Sequence, residues 1–326
     1  MAQESVKPDA VNFVTVDETG EGMRLDNFLA RALKGVPKSH IQKIVRDGSV
    51  RVNKKRRSGS DRLELGDVVR IPPVRVAARP DKLPPPPLAF RVAYEDDWIL
   101  AVDKPSGIAS HGGSGVSWGA IEAMRAARPD LRYLELAHRL DKATSGLLVM
   151  CKKRSALRAL HEQFRDKHPV KKYLALSSGI WNRRRGAIDA PLKDCRDKAG
   201  QKYARPDLQG APSRTLFEPI KNLCGPNGAK GTLLVATPLT GRTHQIRAHM
   251  RFAGCPVAGD EKYGFDEDNR VWAQAGLPRL FLHAQSIEID HPRTGARLLI
   301  EVPLQRDLRS FLESLSEIRP EGPMSR

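Results

Sequence analysis

Apolar positions in the first quarter of the chain fall into two helical stretches and two strand-like ones. In residues 23–34 (MRLDNFLARALK), Leu25, Phe28, Leu29, Ala32 and Leu33 recur at the i, i+3, i+4, i+7, i+8 spacing of one helix face. Gly35 follows, where a helix commonly stops. Ser39 is placed to cap a second short helix with Ile41, Ile44 and Val45 inward and Gly48 at its end. Residues 50–53 and 68–71 then read as strands around a basic turn.

Further along, strand-like runs recur at 90–94, 99–102, 146–150, 173–177, 232–236, 281–289 and 298–302. Helical periodicity intervenes at 117–127, 155–167, 243–252 and 306–315. Several strands follow one another with no helix between them, as across 281–303. The predicted class is therefore α+β, with a mixed, mainly antiparallel sheet rather than a doubly wound parallel one. Residues 72–87 hold seven of the chain's 24 prolines and end in four consecutive ones. Such a stretch is a stiff extended spacer. It divides the chain into a flexible segment (1–21), a small αβ domain (22–72), the linker (73–87), a large domain (88–318) and a tail (319–326).

Composition changes the picture through charge. Lys and Arg outnumber Asp and Glu by 55 to 38, a net +17. An excess of that size is an argument about partners, and nucleic acid is the usual one. It is concentrated locally: residues 38–75 carry 11 Lys/Arg against 4 Asp/Glu. Isolated lysines would be a solvated face. Here Lys38, Lys43 and Arg46 on the second helix, with Lys54, Lys55, Arg56 and Arg57 on the neighbouring turn, point to a phosphate-binding surface. The four cysteines form no C-x-x-C pair, which argues against structural zinc or a disulfide framework and fits a reducing cytosol. No basic start with an apolar core marks a signal peptide, and no apolar run approaches the roughly 20 residues of a membrane span. A cytoplasmic protein, away from membranes, is expected.

Four segments place reactive or cationic groups where folding pattern alone does not require them. They are HRLDKATSG (138–146), KKYLAL (171–176), GRTHQIRAH (241–249) and RLFLHA (279–284). Asp141 stands between basic side chains ahead of a Thr-Ser-Gly bend, and nearby cations favour the charged form of a carboxylate. On these residues alone it is either a turn-capping aspartate or a nucleophile. His138, His244 and His249 invite a metal reading, but His244 and His249 are five apart, not the four that align two ligands on a helix face. No Cys, Asp or Glu cluster completes a site, so no metal is expected.

Taken together, these segments closely resemble the RluA-type pseudouridine synthases over about residues 90–305. The segments KPSG (104–107) and HGGSG (111–115) narrow the resemblance to the RluC-like branch. Residues 22–72 resemble the small RNA-binding domain named after ribosomal protein S-four, with a DNA-reading helix-turn-helix as the weaker competitor. The resemblance implies isomerisation of uridine to pseudouridine in large-subunit ribosomal RNA or its assembly precursor. That reaction involves no redox change or net hydrolysis, so no cofactor is expected, and a monomer is the simpler expectation. It implies Asp141 as the nucleophile and Arg247 as its partner, through two parallel bonds. It gives Arg139 the task of filling the space left by the flipped-out base. Tyr173 would lie against that base and help remove the ring proton, and Leu282 would form an apolar wall. Two other readings stand beside this one: pseudouridine synthesis on another structured RNA, and a non-catalytic ribosome-assembly protein. A glycoside hydrolase would need a second carboxylate across the bond, and no carboxylate shares a comparable motif.

Overall fold

The amphipathic face read in residues 23–34 closes a small core at the start of the chain. In the computed structural model, the structure describes residues 10–318 except 34, 75–84, 89, 114–115, 183–185 and 198–199. The chain divides into two units, 1–84 and 85–326. Most of the proline-rich spacer, Ser114 and Gly115 of HGGSG, and the expected tail lie outside the described residues.

The first unit consists of β1 (Asn12–Thr15), α1 (Leu25–Ala32), α2 (Lys38–Arg46), β2 (Arg51–Val52) and β3 (Val68–Ile71). Its strands form an antiparallel sheet in the order β1-β3-β2. Leu25, Phe28 and Leu29 of α1 meet Ile41 and Ile44 of α2 over Val52, Val69 and Ile71. Ser39 does not cap α2. The helix begins one residue before it, behind Pro37, and has no side-chain cap. Proline already sets its own φ and lacks an N–H, so it is tolerated where a helix starts. The strand β1 falls within 1–21, where a flexible segment was expected; its alternation is short, with Phe13 exposed and Val14 only partly buried, yet it pairs with β3.

The second unit opens with β4 (Arg91–Glu95), β5 (Ile99–Lys104), α3 (Ala120–Ala127), β6 (Glu135–Leu136), β7 (Ser145–Cys151) and α4 (Arg154–Arg165). It continues through β8 (Val170–Leu176), β9 (Gly186–Asp189), β10 (Leu192–Arg196), β11 (Lys202–Pro206) and β12 (Arg214–Cys224). It ends with β13 (Lys230–Pro238), α5 (Gln245–Phe252), α6 (Asp266–Gln274), β14 (Leu282–Asp290), β15 (Arg297–Glu301), α7 (Arg306–Glu313) and β16 (Ser316–Glu317). Among the described residues an 11-stranded sheet runs β16-β12-β13-β8-β14-β7-β5-β4, with β6, β9 and β15 paired at its sides. Its pairings are antiparallel except β7 with β14. The fold is the expected α+β class with a mixed, mainly antiparallel sheet.

The strand β14 is the seam of that sheet: it joins β8 and β13 on one side to β7 and β5 on the other. The seam is tight. Ser145 and Gly146 lie beside His283 and Ala284. Gly146 has φ +109°, and a Cβ there would collide with the Ala284 carbonyl and come 2.7 Å from its nitrogen. Only glycine tolerates both the close approach and the backbone angle. Gly146→Ala is expected to destabilise the protein by about 3 kcal/mol, read as a lower denaturation midpoint at unchanged slope.

Candidate active site

Asp141 sits in the loop between β6 and β7, and a second loop holds that one in place. Ser110 Oγ donates to the Leu140 carbonyl at 2.7 Å and accepts from the Leu140 amide at 2.8 Å. Ser106 Oγ donates to Ala143 O (2.7 Å) and the Gly107 amide to Lys142 O (2.8 Å). Lys104 is fully buried, and its ammonium donates to the carbonyls of Pro105 (2.9 Å), Ile108 (2.8 Å) and, more weakly, Lys142 (3.5 Å). Burial pushes the Lys104 ammonium down to about 7, against the opposing pull of Asp141. The KPSG segment is thus the scaffold of the Asp141 loop.

The Asp141 side chain does not cap the following bend. The Thr144 amide bonds the Asp141 backbone carbonyl (3.2 Å), and the carboxylate turns instead toward Arg247 Nη1 (3.5 Å) and His244 Nε2 (3.8 Å). Both come from the start of α5, a helix buried on most of its surface. Ile246 and Met250 pack against Ala175, Phe217 and Leu234, while Ala248 meets Leu192, Ala204 and Tyr263.

The structure corrects one expectation here. The two parallel bonds of Arg247 do not go to Asp141. Its Nε donates to Asp260 Oδ2 at 2.7 Å and its Nη2 to Asp260 Oδ1 at 2.8 Å. The reason is burial. The guanidinium side chain is 9% exposed and needs a permanent counter-ion, and the Asp260 side chain is wholly buried, whereas that of Asp141 is 28% exposed. Burial opposes the charge on Arg247, but the Asp260 bonds and then the Asp260 and Asp141 charges hold its pKa above the usual arginine value. Asp260 was missed in the sequence because nothing in Gly259-Asp260-Glu261-Lys262 marks it except its place in a turn. It does not serve as the second carboxylate of a hydrolase, since Arg247 and the amides of Lys262 and Tyr263 fill it.

Tyr173, on β8, pairs across to Ala236 and Ala284 and packs with the Ala175–Ile246–Leu282 cluster. Burial raises its phenol pKa strongly, and the Asp141 charge raises it further. Leu282 is buried at the start of β14. Thus Asp141, Tyr173, Arg247 and Leu282 converge, while Arg139 is exposed on the approach to the loop. His249 lies apart, its nitrogens bonded to Thr215 Oγ1 (2.9 Å) and to Ser213 Oγ and the Ala190 carbonyl (3.2 and 3.0 Å).

Residues 98–252 match the RNA pseudouridylate synthase family. The Ribosomal large subunit pseudouridine synthase C of Escherichia coli (strain K12) is 48% identical over 314 residues, spanning 94% of this chain and 96% of its own length. The chain belongs to the RNA pseudouridylate synthase family. The protein of the same description from Pasteurella multocida (strain Pm70) is 47% identical over 322 residues, 96% of this chain and 97% of that one. Residues 23–69 of the synthase match the S4 domain. Human RNA Pseudouridylate Synthase Domain Containing 1 superposes with a TM-score of 0.58 at 23% identity, over 76% of this chain and 94% of that one. Human RNA Pseudouridylate Synthase Domain Containing 4 gives 0.55 at 23%, over 71% and 94%. At such identity these two show the fold alone. No helix of the described residues is long and apolar enough to cross a membrane.

On the S4 unit of the synthase, Lys38, Lys43 and Arg46 are exposed along α2. Lys54, Lys55, Arg56 and Arg57 are exposed beyond a turn in which Asn53 and Lys54 both take positive φ. Arg46, Arg56 and Arg57 line a cavity of about 500 Å³ together with Arg24 and Gln42, which the sequence reading did not single out.

Two histidines, His283 buried and His138 partly so, brace β7, and acid is expected to destabilise the synthase through them. His138 Nε2 accepts from the Val149 amide (3.1 Å), and Ser145 Oγ is 3.0 Å from His283 Nδ1. Burial pushes His138 down to about 3 and His283 to about 4 from an ordinary 6.5. Both stay neutral in the fold while the unfolded chain takes up a proton at each below about pH 6.5, so stability falls as pH drops through that window. Each contributes a slope of up to about 1.4 kcal/mol per pH unit. Urea unfolding at pH 6 and pH 5 should show His138→Gln losing close to one histidine's share of that slope. Equal slopes in the two proteins would show that His138 titrates normally.

Proposed function

We propose that the protein converts uridine to pseudouridine in large-subunit ribosomal RNA, with Asp141 as the nucleophile on a flipped-out base. The observation that carries this reading is the convergence of Asp141, Arg247, Tyr173 and Leu282 at one end of the β7–β14 seam. The printed names of the bacterial relatives, at 47–48% identity, supply the RNA. The protein acts in the cytoplasm as a monomer on the ribosomal RNA or an assembly precursor.

The reaction needs no net input of atoms. A carboxylate oxygen of Asp141 attacks the target, at the glycosidic carbon or at the ring of the base, and the N1–C1′ bond breaks. The base turns, its C5 bonds to C1′, the bond to Asp141 breaks, C5 loses its proton and N1 gains one. A carboxylate is a weak nucleophile and depends on positioning. The Ser106, Ser110 and Lys104 bonds position the loop, and the Arg247 cation faces the oxygen that attacks. In the resting site Tyr173 remains a protonated phenol. To take the proton from C5 it must first pass its own proton on, and N1, which gains one in the reaction, is the acceptor that balances the transfer. Arg139 is exposed and unpaired among the described residues, free to enter the helix that the base leaves.

The basic face of the S4 unit supports a large folded RNA over a nucleoside. Phosphate contacts there add affinity without reading sequence. Arg46→Ala with Arg57→Ala should weaken RNA binding and reduce the log Kd against log salt slope by about 1 to 2. The decisive assay incubates unmodified large-subunit RNA with the protein and maps pseudouridine chemically. Asp141→Asn should produce none, although it folds and binds RNA as the unsubstituted protein does. Product from that variant at an undiminished rate would end the nucleophile assignment.

A further inference from the structure

Two side chains face Asp141 Oδ2, and a single turn holds both. Arg247 is gripped by Asp260, whose Oδ1 also accepts the amides of Lys262 and Tyr263 at 3.0 Å each. The Asp260 carbonyl in turn accepts from Asn269 Nδ2 at 3.0 Å, which ties the turn to α6. With Nε and Nη2 engaged, Nη1 is the edge of the guanidinium left for Asp141. The Tyr263 ring lies 5.0 Å from the Arg247 guanidinium carbon, a cation over an aromatic face.

The same tyrosine reaches His244. The Ala204 amide donates to Tyr263 Oη at 2.8 Å, and His244 Nδ1 lies 3.1 Å from that oxygen. A backbone N–H can only donate, so the phenol oxygen accepts from Ala204 and its own hydrogen is free to point to Nδ1. Nδ1 is then an acceptor, and a neutral imidazole must carry its hydrogen on Nε2. Nε2 is the atom that faces Asp141 Oδ2, at 3.8 Å. Burial lowers the His244 pKa and favours the neutral ring. His244 also takes φ +48° and ψ +28°, a left-handed backbone that a non-glycine residue rarely adopts and that aims its ring into the site.

We propose that the turn Asp260–Tyr263 is the positioning device of the nucleophile: Asp260 sets the guanidinium of Arg247, Tyr263 sets the tautomer of His244, and together they aim two N–H donors at Asp141 Oδ2. The three turn and helix residues Asp260, Tyr263 and His244 act through the carboxylate rather than on the RNA. This deepens the assignment of Asp141 and rests on it.

The test uses the full chain, unmodified large-subunit RNA and ¹⁵N spectra of the histidine ring near neutral pH. Unsubstituted protein should show His244 as the Nε2–H tautomer, and Tyr263→Phe should move it toward Nδ1–H. The same variant should lose about tenfold in kcat, the size of one donor to a charged acceptor, with KM for RNA within about twofold. At His244, a Gln amide nitrogen can stand where Nε2–H stood and an Asn amide cannot reach, so His244→Gln should retain several-fold more activity than His244→Asn. Asp260→Asn should likewise lower kcat and leave KM. A turn that only stabilises the fold would lower the melting temperature without moving the tautomer or separating Gln from Asn. That result overturns the proposal, as does a loss confined to KM. Should Tyr263→Phe fail to fold, the Gln and Asn pair decides alone. If Asp141→Asn stays active, the nucleophile assignment falls, while the His244 tautomer still reports on the turn independently.

Discussion

A buried guanidinium must be neutralised on every side, and in the larger unit that requirement organises the site around Arg247. Its side chain is 9% exposed. The loss of solvation on burying such a charge exceeds what one loose contact returns, so a complete set of acceptors has to be built. Asp260 supplies the permanent pair, and two backbone amides fix Asp260 in turn. What remains of the cation, one N–H edge, can then be presented to Asp141 without having to hold the helix in place. One arginine thereby serves two carboxylates, a buried one that anchors it and a part-exposed one that faces the open site.

Much of this was legible in the chain, for reasons that differ from residue to residue. The strands at 99–104, 145–151 and 230–238 are nearly continuous apolar runs, because the centre of a wide sheet is buried on both faces. Asp141, Tyr173 and Arg247 stand in segments too unusual to be packing alone, and the structure brings them together. The strand at 214–224 escaped notice because Pro219 and a register shift before Lys221 break its alternation. The helix at 266–274 escaped because Trp272 is the one residue it buries, so it has almost no apolar face. Asp260 was invisible for a related reason. Pairing across 13 residues through a turn leaves no periodic trace, and a lone aspartate between glycine and glutamate looks like any loop.

The two units answer different physical demands. The S4 unit carries its lysines and arginines exposed, the arrangement in which loose phosphate contacts and counter-ion release suffice for a polyanion. The catalytic unit does the opposite: it buries its charges and saturates them. Lys104 illustrates this, since an ammonium that donates only to backbone carbonyls can neither contact RNA nor neutralise a phosphate, and is instead a fastener for the loop above it.

The position of β14 has a consequence for how the protein comes into being on the ribosome. Asp141 precedes β7, whereas Tyr173 and Arg247 belong to the β8 side of the sheet, and the strand between them is encoded only after residue 281. Until that strand emerges, the two halves have no shared hydrogen-bonded edge. Long-range strand pairing is the slow part of folding. A nascent chain therefore holds two unjoined halves of the sheet for most of its synthesis, and Asp141 meets Tyr173 and Arg247 only as translation nears its end.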